Sequence, residues 1–264
     1  MDAKFAREMA AAEVAVTSPT KRDRAKRDAW LSLAGRLKPT ATEAPAVTVA
    51  EPPATAKLHR DLTTAAGWDS ENGGTLQQLA ERGPGDDPVL RSTLSDGQTG
   101  AAAGNGMAHE RNDMRAGDIG LGEVRFIAWH ERFTKLVDTE IDSWQLIGPE
   151  IHGHTLDQAP VMLQVGADKR RRLNTNAGRD LPRNFDLGPI VVGQWRHYML
   201  GLKVADDDTG WLELWQDGKK VVNLPSEPTT IEHVGGYWKL GHYRNADIAG
   251  TSVYDISGAR IYSA

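Results

Sequence analysis

The sequence predicts an all-β protein in which two antiparallel sheets pack face to face. From residue 87 onward, short apolar or alternating runs are separated by turn residues at the spacing typical of β-sandwiches. Asp217-Gly218, a dipeptide preferred in two-residue hairpins, separates two such runs, and the polar run 206–210 separates another pair. Alternation gives each strand one apolar side, and two sheets bury such sides against each other.

The individual strands follow from these runs. In chain order, the expected strands are Val89–Leu94, His109–Met114, Glu123–Trp129, Trp144–Ile147, Val161–Val165, Arg171–Asn174, His197–Val204, Gly210–Gln216, Lys220–Leu224, Tyr237–Arg244 and Thr251–Tyr262. Almost no helix is expected between them. The apolar sides should bury a set of large residues, namely Trp144, Ile151, Leu212, Leu214, Trp238 and Leu240.

The composition excludes several classes of protein. The chain has 264 residues and no cysteine, which excludes a disulfide framework and thiolate chemistry. It contains no apolar run long enough to span a membrane, and its start lacks the hydrophobic segment of a signal peptide. We therefore expect a protein that is made in the cytoplasm, has no membrane partner and belongs to a virion or another assembly.

The N-terminal residues are expected to form a separate arm. Residues 1–37 form a helical pattern with an apolar stripe that includes Trp30, Leu31 and Leu33. A short helix cannot bury such a stripe alone, so we expect residues 1–56 to pack on other protein chains in an oligomer or larger assembly. The basic residues of this arm are interleaved with aspartates, as on a solvated helix face, and a nucleic-acid partner is not expected.

Residues 38–84 are expected to connect this arm to the β-domain. They are rich in proline and alanine near their start, which is typical of an extended linker, and a short helix is expected over 75–82. The β-domain itself is expected to occupy residues 85–264.

The most informative strand is the stretch 236–244. Because side chains alternate along a strand, Tyr237, Lys239, Gly241 and Tyr243 share one face, with Trp238 on the other. Two phenols, an ammonium group and the gap left by a glycine are unusual for a buried face. They fit a shaped, wet surface that binds a ligand, or a sandwich strand whose hydroxyl groups reach solvent.

Two further stretches carry polar faces of the same kind. On a strand, Arg111 and Arg115 share a face with Asp113, and Met114 points the other way. Glu150 and His152 likewise share a face in the stretch that begins at Trp144. Each residue alone is also compatible with an ordinary surface ion pair or a loop histidine.

Together, the three stretches resemble the signature motifs of the concanavalin A-like jelly-roll polysaccharide lyases, the group of the alginate, glucuronan and heparin lyase types. The family's motifs read Arg-(Ser/Thr)-Glu-Leu-Arg, Gln-(Ile/Val)-His and Tyr-Phe-Lys-Ala-Gly. This chain has Arg-Asn-Asp-Met-Arg, Glu-Ile-His and Tyr-Trp-Lys-Leu-Gly in the same order. The resemblance implies a β-jelly roll of two antiparallel sheets and cleavage of uronic-acid polysaccharides by β-elimination, with an acidic polysaccharide or cell-surface glycan as partner.

The resemblance also implies roles for individual residues. Arg111 would pair with the substrate carboxylate, His152 would take the proton from C5, and Tyr237 would protonate the leaving oxygen. The substrate-binding residues would be Glu150, Lys239, Tyr243 and Arg115. This chemistry requires no cofactor and no metal.

Glu150 departs from the family pattern, which has glutamine at this position. An ionised Glu150 would repel the substrate carboxylate, whereas a protonated Glu150 could donate a hydrogen bond to it. With an ionised Glu150, lyase activity should be weak or absent.

Two other functions remain open besides the lyase. One is a glycan-binding module that kept the cleft without the chemistry. The other is a structural virion protein, such as a phage tail or capsid-surface component, whose lectin-like domain binds or decorates without catalysis. The long N-terminal arm and the missing signal peptide favour such an assembly, and the sequence leaves open whether the protein is an enzyme.

Overall fold

The computed structural model describes residues 49–71, 75–98, 109–138, 145–153, 159–175, 183–230 and 235–264. These residues form sixteen β-strands, two short 3₁₀ segments at Ala65–Gly67 and Pro84–Asp86, and no α-helix. In chain order, the strands are β1 (Lys57–Asp61), β2 (Asp69–Glu71), β3 (Gln77–Arg82), β4 (Pro88–Leu94), β5 (His109–Arg111), β6 (Asp113–Ile119), β7 (Val124–Lys135), β8 (Gln145–Gly153), β9 (Val161–Val165), β10 (Arg170–Thr175), β11 (Arg183–Pro189), β12 (Arg196–Lys203), β13 (Trp211–Gln216), β14 (Lys219–Leu224), β15 (Gly236–Asn245) and β16 (Ser252–Ser263).

The strands form two antiparallel sheets, as the jelly-roll expectation requires. The first sheet has the order β14-β13-β12-β7-β16-β4-β3, with β1 also paired to β16. The second sheet has the order β11-β10-β9-β8-β15-β6-β2, with β5 also paired to β15. The last two strands of the chain therefore lie inside the two sheets, β16 between β7 and β4, and β15 between β8 and the pair β5 and β6.

The hydrophobic core lies between the sheets. Trp129 of the first sheet is fully buried and stacks on Tyr198, with 5.4 Å between the ring centroids. Trp238 of the second sheet is 1% exposed. Of the residues predicted to be buried, Ile151, Leu212, Leu214, Trp238 and Leu240 are all buried, and Trp144 lies outside the described residues.

A buried ion pair joins the two sheets across this core. The Arg171 guanidinium on β10 lies 2.8 Å from the Glu131 carboxylate on β7, and both side chains are 2% exposed. Glu131 also accepts hydrogen bonds from Trp129 Nε1 and from the Tyr254 hydroxyl, at 3.2 and 3.0 Å. Arg171 donates a further bond to the Ile147 carbonyl. Burial beside Glu131 raises the pKa of Tyr254 well above its usual value, so its hydroxyl stays a donor.

Each expected strand has a counterpart, but the expected strand His109–Met114 is divided between β5 and β6. β7 and β8 each end six residues beyond the predicted end. The hairpin at Asp217-Gly218 is confirmed, and both residues have positive φ angles, 48° and 78°. Asp217 also accepts the backbone N–H of His197 at 3.0 Å, which ties the hairpin to β12.

The expected helix over 75–82 is wrong. Residues 77–82 instead form β3, which pairs with β4 at the edge of the first sheet. Alternation could not indicate this strand, because β3 is exposed along most of its length and lacks an apolar side. β1 and β2 also belong to the two sheets. The strands of the β-domain therefore begin before residue 85, the boundary expected from the sequence.

Residues 49–56 pack on the same domain, on the side of the first sheet that faces away from the core. The backbone N–H of Ala50 donates to His197 Nδ1 at 3.3 Å. This segment, His130, His197 and Arg260 help to line a cavity of about 420 Å³. Residues 49–56 thus contact the outer side of their own domain and not its core, and the packing of residues 1–56 on another chain stays a prediction. Residues 1–48 lie outside the described part. Within the described residues, no helix is long and apolar enough to cross a membrane.

Candidate functional site

The polar positions of β15 lie at the centre of one face of the second sheet, the face directed away from the core. In the register with β8, Tyr237 lies opposite His152 and Lys239 opposite Glu150. On the other side, Lys239 pairs with Arg115. Since residues opposite each other in an antiparallel pair point to the same side, these side chains meet on one surface. We call it the site face.

At one end of the site face, three side chains form a stack on Tyr237. The Arg115 guanidinium lies 4.0 Å from the centroid of the Tyr237 ring. The His152 ring stacks on the same phenol, with 5.3 Å between centroids and 27° between planes. Arg115 also forms an ion pair with Asp118. Tyr237 is consequently only 7% exposed, and a sugar ring has no room between it and His152.

At the other end, Arg111 and Tyr243 form a similar pair. Arg111 lies opposite Tyr243 in the register of β5 with β15, and its guanidinium lies 4.1 Å from the ring centroid. Tyr243 is only half buried, in contrast to Tyr237. Burial raises the pKa of the Tyr243 hydroxyl, and the charge of Arg111 opposes this rise. Tyr243 is therefore protonated at neutral pH and accessible from solvent.

Between the two ends lie a buried lysine and two buried carboxyl groups. Lys239 Nζ is 3.0 Å from Asp113 Oδ2 and 3.4 Å from Glu150 Oε1. All three side chains are at most 4% exposed. Arg111 Nε lies 3.5 Å from the same Asp113 carboxylate. The ammonium group of Lys239 therefore lies between two carboxyl groups in a space with little water. We call these three residues the Lys239 cluster.

Glu150 is the residue of this cluster whose charge is disfavoured most clearly. Burial raises the pKa of its carboxyl group, the charge of Lys239 opposes the rise, and the charge of Asp113 adds to it. Gly241 leaves a space beside the cluster. A β-carbon at Gly241 would lie 3.4 Å from Glu150 Oε1 and 3.7 Å from Asp113 Oδ1, so both carboxyl groups border that space.

The tautomer of His152 is fixed by its own strand. Its Nδ1 lies 2.8 Å from the carbonyl oxygen of Gly153, which can only accept a hydrogen bond. Nδ1 therefore carries a proton, and in the neutral ring the lone pair is on Nε2. This is the form required of a general base.

The opposite sides of the same strands anchor the site face to the first sheet. His242 lies between the Ser92 and Ser252 hydroxyls, at 3.2 and 2.6 Å, and burial lowers its pKa to about 3. Asn112 donates to Ser92 Oγ at 3.1 Å, and its backbone exchanges two hydrogen bonds with His242. Asn112 thus links the two sheets and is a structural residue.

Gly148 and Pro149 disturb the pairing on only one side of β8. The ladder between β8 and β15 runs without interruption from residue 145 to 153. The register with β9 shifts between Leu146 and Glu150, which is where Pro149 lacks an N–H to donate. The strand can therefore carry a proline without displacing Glu150 and His152 from β15.

All seven residues predicted for the site lie on the site face. Arg111, Arg115, Glu150, His152, Tyr237, Lys239 and Tyr243 come from four neighbouring strands. Asp113 was recognised as sharing the face of Arg111 but was not among the predicted site residues. It joins Lys239 to Arg111, a contact that the alternation allowed but did not specify. Among the described residues, no group of three or more histidine, aspartate or glutamate side chains is placed to hold a metal ion.

Comparisons with known proteins agree with this architecture. The endo-β-1,4-glucuronan lyase from the fungus Trichoderma reesei is similar in structure, with a TM-score of 0.59, 20% identity, and coverage of 80% of this chain and 96% of that chain. A family 7 alginate lyase, A1-II′, solved as a tyrosine-to-phenylalanine variant with product, has a TM-score of 0.51 and 11% identity over 69% of this chain and 82% of that chain. At these identities the likeness shows the fold. No curated protein sequence matches the chain significantly.

The family comparison extends over most of the β-domain. A family model described as polysaccharide lyase matches residues 60–257, which include all seven site residues. With its two jelly-roll sheets and this match, the chain belongs to the polysaccharide lyase family.

Proposed function

We propose that this protein is a lyase that cleaves a uronic-acid polysaccharide by β-elimination at the site face. The observation that carries the proposal is the position of His152, a base with its lone pair on Nε2, on the same surface as two arginine–tyrosine pairs. Family membership supports the same reaction class. A surface that supplies a base, phenols and guanidinium groups meets the needs of this reaction.

The reaction requires three tasks from the protein. A base removes the proton on C5, the electron pair left behind forms the double bond between C4 and C5, and the bond from C4 to the leaving oxygen breaks. The leaving oxygen then takes a proton. Charge builds up on the sugar carboxylate as the C5 proton leaves, and a nearby cation stabilises it. In our proposal, Arg111 is that cation and His152 is the base.

The acid that protonates the leaving oxygen is one of two tyrosines. The family motif points to Tyr237, but this ring is 7% exposed and lies between Arg115 and His152. Tyr243 is half buried and protonated at neutral pH, and its guanidinium neighbour Arg111 is the proposed carboxylate partner. Accessibility therefore favours Tyr243 as the acid, with Tyr237 holding the orientation of His152.

The proposed substrate is a polymer of glucuronic acid. The neighbour that covers the largest share of this chain among those described above is a glucuronan lyase, and alginate lyases share the fold. Glucuronan is therefore the first polymer to test, and alginate the second.

The test is ultraviolet absorbance of the unsaturated uronate that elimination creates. With glucuronan, the unmodified protein should give rising absorbance, and His152→Ala should lower the rate by about 100-fold or more because the base is lost. His59→Ala removes an exposed histidine of β1 and serves as the matched control. No absorbance with glucuronan or alginate would overturn the proposal.

Two further variants separate the tyrosines. Tyr243→Phe should lower the rate by about 100-fold or more if it is the acid, while Tyr237→Phe keeps the ring stack and should retain most activity. Tyr262→Phe, on the first sheet, is the control. The reverse ranking would assign the acid role to Tyr237.

The second candidate function is glycan binding without catalysis. It is favoured by Glu150, whose carboxyl group stands where the family has an amide. Oligosaccharide binding with no absorbance change would select this function. The role in a virion or other assembly concerns residues 1–48, and it is compatible with either candidate.

A further inference from the structure

We propose that Glu150 binds the substrate's carboxyl group as a neutral acid and donates its own proton to it in a hydrogen bond. This inference rests on the proposed function, because it requires an acidic sugar on the site face. It gives Glu150 the donor role that an amide has at this position in the family pattern. It also makes recognition of the substrate depend on a proton that the protein supplies.

The charges around Glu150 carry the argument. Asp113 and Glu150 share one ammonium group, and Lys239 lies closer to Asp113, at 3.0 Å compared with 3.4 Å. Asp113 also has Arg111 at 3.5 Å. Lys239 and Arg111 thus both lie close to Asp113, whereas Glu150 interacts with Lys239 at the longer of its two distances.

Among the described residues of the site face, two other groups that can carry positive charge are His152 and Arg115. His152 lies on the same strand, and its charge would favour an ionised Glu150, but a neutral His152 is required for its role as base. Arg115 is engaged with Asp118 and with the Tyr237 ring. An acidic substrate adds one more negative charge beside this group. Asp113 and Glu150 already share Lys239, so a further negative charge at short range in a site with little water favours the neutral form of Glu150.

Access to Glu150 is provided by Gly241. The space that this glycine leaves is bordered by Glu150 Oε1 and Asp113 Oδ1, at 3.4 and 3.7 Å from an added β-carbon. Because Gly241 has no side chain, a substrate group can approach the sheet above it and bring an oxygen to Glu150 Oε1, although the rest of the Glu150 side chain is buried. A neutral carboxylic acid in a dry site is an effective hydrogen-bond donor to a developing oxyanion. The proton remains on Glu150 throughout, so no proton transfer by this residue enters the elimination.

The test counts protons taken up on binding. Isothermal titration calorimetry with a glucuronan tetrasaccharide, in buffers of different ionisation enthalpy from about pH 5 to about pH 9, measures this uptake. At the alkaline end, the unmodified protein should take up about one proton more than Glu150→Gln, because only Glu150 must be protonated to bind. Glu213→Gln, which alters a glutamate on the first sheet, should behave like the unmodified protein. Equal uptake in the unmodified protein and Glu150→Gln would overturn the inference.

The pH profile of elimination provides the second measurement. The rate of the unmodified protein should fall by about tenfold per pH unit once Glu150 ionises, and Glu150→Gln should lose this fall. If Glu150→Gln does not fold, carboxyl carbon-13 spectra of the unmodified protein decide instead. A glutamate signal that titrates well above its usual range and shifts with the tetrasaccharide supports the proposal, and its absence overturns it.

The two proposals fail in different ways. Tetrasaccharide binding with the extra proton but without new ultraviolet absorbance would leave the role of Glu150 standing and remove the lyase. Elimination with equal proton uptake in both proteins would leave the lyase proposal standing and remove the role of Glu150. No tetrasaccharide binding at all would overturn both.

Discussion

The buried ion pair between the sheets leads to a quantitative prediction about stability. Glu131→Gln keeps the size of the side chain but leaves the Arg171 guanidinium without a countercharge at 2% exposure. Removing one partner of such a pair costs about 3–5 kcal/mol of unfolding free energy. The three hydrogen bonds that converge on Glu131 place the expected loss near the upper end of that range. Arg171→Met should cost a similar amount because it leaves the carboxylate unpaired.

The double variant distinguishes a buried pair from two independent residues. Replacing Glu131 and Arg171 together, by glutamine and methionine, removes both charges, so the loss should be clearly smaller than the sum of the single losses. Urea unfolding followed by tryptophan fluorescence measures all three variants. Arg170→Gln is the control, since its partner Asp186 is exposed and the pair should contribute at most about 1 kcal/mol. Losses below about 1 kcal/mol for both single variants, or strict additivity, would refute the reasoning.

Three further predictions concern pH, a turn and the N-terminal residues. Burial lowers the pKa of His197 to about 4 and of His242 to about 3, from 6.5, so the unfolded chain binds protons that the folded chain does not. Unfolding free energy should therefore be highest above pH 6.5 and fall by up to about 1.4 kcal/mol per histidine for each pH unit below it, and urea midpoints at neutral pH that equal those near pH 5 would contradict this. Gly218→Ala should cost about 1 kcal/mol, measured by urea unfolding, because Gly218 has a φ of 78°. Deleting residues 1–48 should leave the melting temperature of the β-domain nearly unchanged and abolish any assembly seen by light scattering, and an unfolded product would show that the arm has been misread.

The site could be predicted largely because its residues lie on strands. Alternation placed Tyr237, Lys239 and Tyr243 on one face, and no knowledge of the other strands was needed for that. The resemblance of the three motifs to those of one family then implied that their residues belong to one site. The face of each residue is a local property, which is why all seven predicted residues fall on one surface.

Contacts between strands were harder to predict because they depend on register. Nothing in the alternation indicated that Lys239 would lie between Asp113 and Glu150, or that His152 would stack on Tyr237. The edge strand β3 was also missed, since an exposed strand needs no apolar side. Arg171 was assigned to a strand but not to the core, because a buried arginine is recognisable only once its carboxylate partner is known.

The positions of β15 and β16 bear on how the protein is made. Both sheets have their interior places filled by the last part of the chain, residues 236–263. During synthesis, β7, β8, β4 and β6 emerge first and present unpaired edges where β16 and β15 will later insert. Neither sheet is complete until residues 236–263 have left the ribosome. The nascent chain is therefore most exposed to aggregation before this stretch emerges, and a chain truncated before residue 236 would contain two open half-sheets.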